Sequence, residues 1–248
     1  MSDDEFFIGW SPKAPRSDRR FLLGAGLGLT AGAAALGFGL GARSPAPGPG
    51  AWDQGDVRTF TGVLRRAPYP MLRFVDGRGV ARSALLVGYG KDALDIPSAI
   101  VEGAQVRASP IVRRRNLMLA VPSQAGAIQP ASLQTPIPEL PSQDEGEGLL
   151  IGEIVDAKCW FGAMRPGYGK THKSCAALCV EGRLPLAFCT DGQCASADEA
   201  PLLVNSCGLA HGPALAPFVA DPVVATGRFV RIEGVLTFRA DLADIRRI

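Results

Sequence analysis

The sequence predicts a mainly β protein: an N-terminal transmembrane helix, then two small OB-like Greek-key β-barrels in tandem, the second with one short Cys/His-bearing helix. Three observations predict this. One long uncharged apolar run occurs, at residues 21–42, ahead of everything else. Beyond it, short apolar runs are punctuated by glycine and proline, and the whole chain has 30 and 20 of these against only 3 tryptophans and 3 tyrosines. That composition suits turns and short strands rather than long helices. All six cysteines and both histidines fall between positions 159 and 211, inside the second strand-rich stretch.

The apolar run is 22 residues long and contains seven glycines. As a helix it rises roughly 33 Å, enough to cross a bilayer core. Lys13, Arg16, Arg19 and Arg20 precede it and Arg43 follows. The excess of positive charge before the run makes residues 1–20 a cytoplasmic tail and puts the bulk of the chain on the periplasmic side of the inner membrane. Gly24, Gly28 and Gly32, then Gly37 and Gly41, recur at the four-residue spacing through which membrane helices pair. The alternative is an export signal. Ser17-Asp18-Arg19-Arg20-Phe21-Leu22-Leu23 is twin-arginine-like, although Phe21 follows the arginine pair directly and Gly41-Ala42-Arg43-Ser44 is a poor cleavage site. Both readings place the remaining chain in an oxidising compartment. Phe6, Phe7, Ile8 and Trp10 suit either a short interfacial segment or a disordered tail.

Residues 43–54, with Pro45, Pro47 and Pro49, form a stiff spacer. Residues 55–122 are the first barrel, with strands expected at 57–64, 71–75, 84–87, 105–108 and 117–121. The turns between them are Pro68-Tyr69-Pro70 and Asp76-Gly77-Arg78-Gly79. A weak helical pattern at 93–101 contains Pro97. Residues 123–147 carry four prolines, four acids and no base, and read as an acidic linker. Residues 148–248 are the second, cysteine-rich barrel. Its strands are expected at 149–156, 184–190, 201–205, 223–224 and 227–236, a closing segment at 244–248, and its helix at 171–180. Charge changes at these boundaries: residues 55–122 hold eleven Lys/Arg against five Asp/Glu, and residues 148–248 hold ten of each. Gly-Val-Leu recurs at 62–64 and 234–236, too short a match to make a repeat.

On a helix through 171–180, His172, Cys175 and Cys179 are spaced by three and four and share one stripe. Cys159 ends a strand and returns to that stripe through a loop holding Gly162, Gly167 and Gly169. Three sulfurs and an imidazole are a common tetrahedral set for Zn²⁺ and soft enough for Cu(I), to which Met164 can add a thioether. The competing reading is a disulfide framework, since six is an even count and thiols oxidise outside the cytoplasm. Cys159, Cys175, Cys179, Cys189, Cys194 and Cys207 are then all bridge candidates, with Cys189 and Cys194 closing the Asp191-Gly192 turn. A redox-active dithiol is a third reading. No C-x-x-C-H haem motif and no paired Cys/His boxes of a Rieske cluster occur.

Asp156-x-x-Cys159, His172-x-x-Cys175-Ala176-x-x-Cys179, the turn at 182–185, Pro201-Leu202-Leu203 and Gly234-Val235-Leu236 together resemble a group of small exported bacterial barrel domains. That group is marked by a D-x-x-C…H-x-x-C-A-x-x-C pattern and has no assigned activity. The resemblance covers about residues 149–248 and implies a barrel fold and an exported location, while Cys189, Cys194 and Cys207 lie outside the shared pattern.

Arg65, Arg66, Arg113, Arg114 and Arg115, with Tyr69, Phe74 and Tyr89, suggest a basic face. An exported protein meets little nucleic acid, so such a face fits anionic headgroups or an acidic protein better than a single strand. Gly88-Tyr89-Gly90-Lys91 and Gly167-Tyr168-Gly169-Lys170 are turns rather than phosphate loops. No Ser/His/Asp set occurs, and Glu153 and Asp156, three apart on one strand, face opposite sides. The sequence therefore leans away from an enzyme. It favours a membrane-anchored accessory subunit of a larger bacterial respiratory or redox complex, docked to integral partners through the glycine-rich helix. A copper or zinc carrier or sensor is the alternative, and a thiol–disulfide oxidoreductase a weaker one.

Overall fold

The computed structural model describes residues 15–43, 50–113, 116–194, 197 and 199–248. The aromatic segment expected at residues 6–10, residues 44–49 of the spacer expected at 43–54, and the basic residues Arg114 and Arg115 lie outside the described residues, while Ala51–Trp52 at the end of that spacer form a short strand. Two units are present, residues 1–45 and 46–248.

The first unit contains one helix, α1, Arg16–Arg43, longer than the uncharged run at both ends. None of its residues is buried, and Phe21, Leu22, Leu27, Leu29, Leu36, Phe38 and Leu40 are all exposed. An isolated helix in water draws little stability from propensity, and each interior glycine costs about 1 kcal/mol relative to alanine. The apolar surface therefore needs an apolar surround. By length and composition α1 can cross a membrane, and a signal sequence meets the same criteria.

The second unit consists of two closed five-stranded barrels. The first uses β2 (Arg58–Arg65), β3 (Met71–Val75), β4 (Ala81–Gly88), β5 (Gly103–Arg113) and β6 (Asn116–Val121). They run in the closed order β2-β3-β4-β6-β5, with β4 and β6 parallel and every other neighbour antiparallel. Short strands β1 (Ala51–Trp52) and β7 (Ile128–Pro130) extend along β5. The β3–β4 turn is set by Asp76, whose carboxylate accepts the N–H groups of Arg78 and Val80, and by Gly79 at φ 79°. These two bonds hold Asp76 below its ordinary pKa. The helix expected at 93–101 does not form. Pro97 cannot donate to the helical ladder, and the Arg66 guanidinium instead takes the carbonyls of Ile96, Pro97 and Ile100.

The second barrel uses β8 (Gln143–Asp156), β9 (Leu186–Thr190), β10 (Leu202–Val204), β11 (Pro222–Ile232) and β12 (Val235–Arg239). The closed order is β8-β9-β10-β12-β11, with β10 and β12 parallel, so its connectivity repeats that of the first barrel. The two Gly-Val-Leu segments fall on non-equivalent strands, β2 and β12, and are unrelated to this repetition. A last strand, β13 (Ile245–Arg247), pairs with β11. Helix α2 (Lys173–Glu181) sits between β8 and β9, preceded by the tight turn Lys170–His172.

Two expectations change in this half. The stretches at 223–224 and 227–236 are one long strand, β11, carrying an irregularity at Phe229/Val230, followed by a two-residue turn and β12. Glu233 (φ 51°) and Gly234 (φ 76°) make that turn, a left-handed pair that matches the twist of a hairpin. The proline-rich stretch expected as a linker supplies β7 and the first five residues of β8.

Each barrel has its own core, around Leu72, Leu86, Val106 and Leu119 in the first and Phe188, Leu203, Val223 and Phe238 in the second. A third apolar cluster joins them. Tyr69, Met71, Leu85, Ile111 and Met118 pack there with Val155, Trp160, Phe161, Ala187 and Leu202. Tyr69 donates its hydroxyl to the Leu203 carbonyl at 2.7 Å. Part of the expected basic face is consumed by packing, while Arg65 and Arg66 stay exposed. Arg113 is buried, 3.6 Å from the centre of the Trp160 ring, and donates to the carbonyls of Trp160 and Cys194. Tyr69 and Phe74 are buried as well, and Arg65 pairs with Glu233.

Candidate metal centre

The cysteine cluster is assembled where β8 ends. Asp156, fully buried, is the last residue of that strand. Its Oδ1 accepts the Cys159 backbone N–H at 2.8 Å, which turns the chain out of the sheet and points Cys159 inward. Its Oδ2 lies 2.9 Å from His172 Nε2. The chain then makes the wide turn Cys159–Ala163 and returns along a loop in which Gly167 lies directly against the Cys159 carbonyl, where a side chain would collide. Gly169 donates its N–H to Glu153 at 2.8 Å, so Glu153 and Asp156 each fix a different end of this loop. Burial raises the pKa of Glu153.

Helix α2 follows, and its stripe faces inward as its spacing predicts. Cys179 and His172 are buried and Cys175 is half-buried. Two ligand groups result. One atom each from Cys159, His172 and Cys175 lie within 4.8 Å of one another, as do one each from Asp156, Cys159 and Cys179. Cys159 belongs to both. Both carboxylate oxygens of Asp156 are already engaged, so Asp156 orients the cluster rather than completing it. With His172 Nε2 on a carboxylate, Nδ1 is the nitrogen left for an ion, the usual arrangement of a ligating histidine.

The first barrel supplies two cations to this cluster. Lys91 Nζ lies 2.8 Å from Cys175 Sγ. Lys158, itself buried, donates to the carbonyls of Gly88, Tyr89 and Gly90 and so pins the loop that carries Lys91. Gly182, at the end of α2, lacks the Cβ that would strike the Lys91 carbonyl, and this lets the loop approach. The Cys159 thiol hydrogen-bonds Cys179, which lowers the Cys179 pKa, with the Lys91 and Lys158 charges adding to the effect. The same hydrogen bond, with burial and the Asp156 charge, keeps Cys159 protonated.

The other sequence candidates lie apart. Cys189 and Cys194 form a disulfide across the Asp191-Gly192 turn, and Cys207 is an exposed free thiol. Cys159, Cys175 and Cys179 are free. Met164 is exposed on the turn after Cys159. The ring of His211 bonds the Ala240 carbonyl, and burial lowers its pKa. Sequence reasoning gave no role to Asp156, Lys158 or Lys91. The first two stand inside the D-A-K-C segment and so left a trace, whereas Lys91 comes from the other barrel.

The start of α2 is tied to β11 through Asp221, which accepts from Lys170, Lys173 and Arg247. The Lys170 and Lys173 bonds lower its pKa from 3.8 to about 2. A carboxylate whose folded pKa is depressed stabilises the fold fully above its unfolded pKa and loses that contribution as pH falls through the folded one. We expect the urea midpoint of the wild type to drop between pH 3.8 and about 2 more steeply than that of Asp221→Asn, and the two curves to run parallel above that window.

No family model matches the chain, and neither a curated protein nor a solved structure is similar to it. The resemblance to exported barrel domains rests on its motif alone.

Proposed function

We propose that the protein is a membrane-anchored, periplasmic metal-binding protein that holds one thiophilic ion, Zn²⁺ or copper, through Cys159, His172, Cys175 and Cys179. The observation that carries this reading is that Cys159 belongs at once to a group with His172 and Cys175 and to a group with Asp156 and Cys179, with Asp156 also orienting the imidazole. Charge supports it too. Three thiolates and the Asp156 carboxylate carry four negative charges, the Lys91 and Lys158 ammonium groups offset two, and a divalent ion neutralises the rest. The burial of Cys159 and Cys179 counts against a thiol oxidoreductase, whose reactive sulfur must meet a substrate.

The shared strand order, with third and fifth strands parallel, supports reading both barrels as OB-like Greek keys. The Cys189–Cys194 disulfide suits an oxidising compartment, and α1 suits a retained anchor. An accessory-subunit role is compatible with a metal centre. What favours it is the four-residue spacing of Gly24, Gly28 and Gly32 and of Gly37 and Gly41 on α1, through which a helix of an integral partner can pack closely.

Elemental analysis with thiol counting on protein purified from membranes without reductant tests the metal reading. We expect about one zinc or copper per chain, the Cys189–Cys194 bridge, and Cys159, Cys175 and Cys179 reacting only after the ion is stripped. Three bridges and no metal would end it.

A further inference from the structure

The ligands differ in access. Cys179, Cys159 and His172 are 0%, 3% and 3% exposed, whereas Cys175 is half-buried, with the exposed Leu178 beside it on α2. The ammonium of Lys91, an exposed residue brought from the other barrel, lies 2.8 Å from the Cys175 sulfur. We infer that Cys175 is the ligand through which the ion is exchanged with a thiolate-bearing donor or acceptor, and that Lys91 receives the departing Cys175 thiolate. This inference rests on the metal reading above.

The step balances without any redox change. An incoming thiolate forms a bond to the ion as the ion–Sγ bond of Cys175 breaks. The Cys175 sulfur keeps its electron pair and its charge is met by the Lys91 ammonium, while Cys159, Cys179 and His172 hold the ion during this first displacement and are then replaced in turn by further donor atoms of the acceptor. The ion keeps its oxidation state and no proton is needed. Of the three cysteines Cys175 fits this role, because Cys159 and Cys179 are buried whereas Cys175 is half-buried and within reach of an incoming group. The incoming group is a thiol, carried either by a small molecule or by a cysteine peptide.

The test uses the zinc-loaded full chain in detergent, with a chromophoric nitrogen/oxygen chelator as the sink and glutathione or a two-cysteine peptide as the thiol. We expect wild-type zinc release to rise in proportion to thiolate concentration. At equal loading, Lys91→Met should slow that thiol-dependent rate about tenfold, as loss of one close, partly screened charge implies. Lys91→Arg should restore part of it and takes over the comparison if Lys91→Met cannot be loaded. A preference for the peptide over glutathione identifies a protein as the exchange partner, and the reverse identifies a small thiol. Release that ignores thiol, or a thiol-dependent rate unchanged by either Lys91 substitution, overturns the inference while leaving the metal reading intact. A wild-type chain that binds no zinc overturns both.

Discussion

Cys159→Ser should abolish ion binding and remove the effect of chelators on stability. Cys159 is the residue common to both ligand groups, so its loss leaves at most His172, Cys175 and Cys179, one ligand short of a closed tetrahedral set and without the sulfur that links them. An ion present at about 1,000 times its dissociation constant stabilises the folded state by about 4 kcal/mol. For a folded body of this size, each kcal/mol moves Tm by about 2–4 °C. Stripping the wild type should therefore lower its Tm by about 8–16 °C, while stripping Cys159→Ser should change nothing. Cys207→Ser is the control, since Cys207 is exposed and outside both groups. The same scan separates metal from bridges. If Cys159 and Cys179 are joined by a disulfide, chelators leave the wild type unmoved and reductant lowers its Tm instead.

The stripe of His172, Cys175 and Cys179 was legible because a helix brings residues three and four apart to one face whatever surrounds it. The hairpin disulfide was legible for a similar reason, its two cysteines flanking a turn marked by Asp191-Gly192. Other features depend on partners distant in sequence, and these were missed. The first half of β8 is polar, and its strand character comes from pairing with β11, where Arg228 meets Asp144 and Glu147 and Arg231 meets Glu145. Without apolar alternation it reads as linker. Arg113 counts as surface charge until Trp160 and two carbonyls are placed around it. Lys91 is invisible as a site residue because only the packing of one barrel on the other brings it to Cys175.

That packing leads to the second large effect. Glu233→Ala should destabilise the two-barrel body by about 3–5 kcal/mol, the usual consequence of removing one partner of a buried ion pair. Arg73, on β3, exposes only 5% of its side chain and places Nη1 2.7 Å from Glu233 on the β11–β12 turn, whose side chain is 12% exposed. Arg65 adds a third charge at 3.0 Å. Arg73 Nε has no hydrogen-bond partner among the described residues, so the guanidinium depends on this carboxylate. Alanine isolates the electrostatic loss, because it has the same Cβ at φ 51° that glutamate has, whereas Glu233→Gly would also relieve the left-handed Cβ clash, about 1–2 kcal/mol. Removing the stranded charge should rescue the fold: Arg73→Met with Glu233→Ala should lie closer to wild type than Glu233→Ala alone. Urea titrations of the wild type, both single variants and the double variant give the coupling energy directly. If Glu233→Ala loses less than about 1 kcal/mol, the pair behaves as a surface ion pair and water reaches Arg73, leaving the apolar cluster around Trp160 and its neighbouring hydrogen bonds to join the barrels.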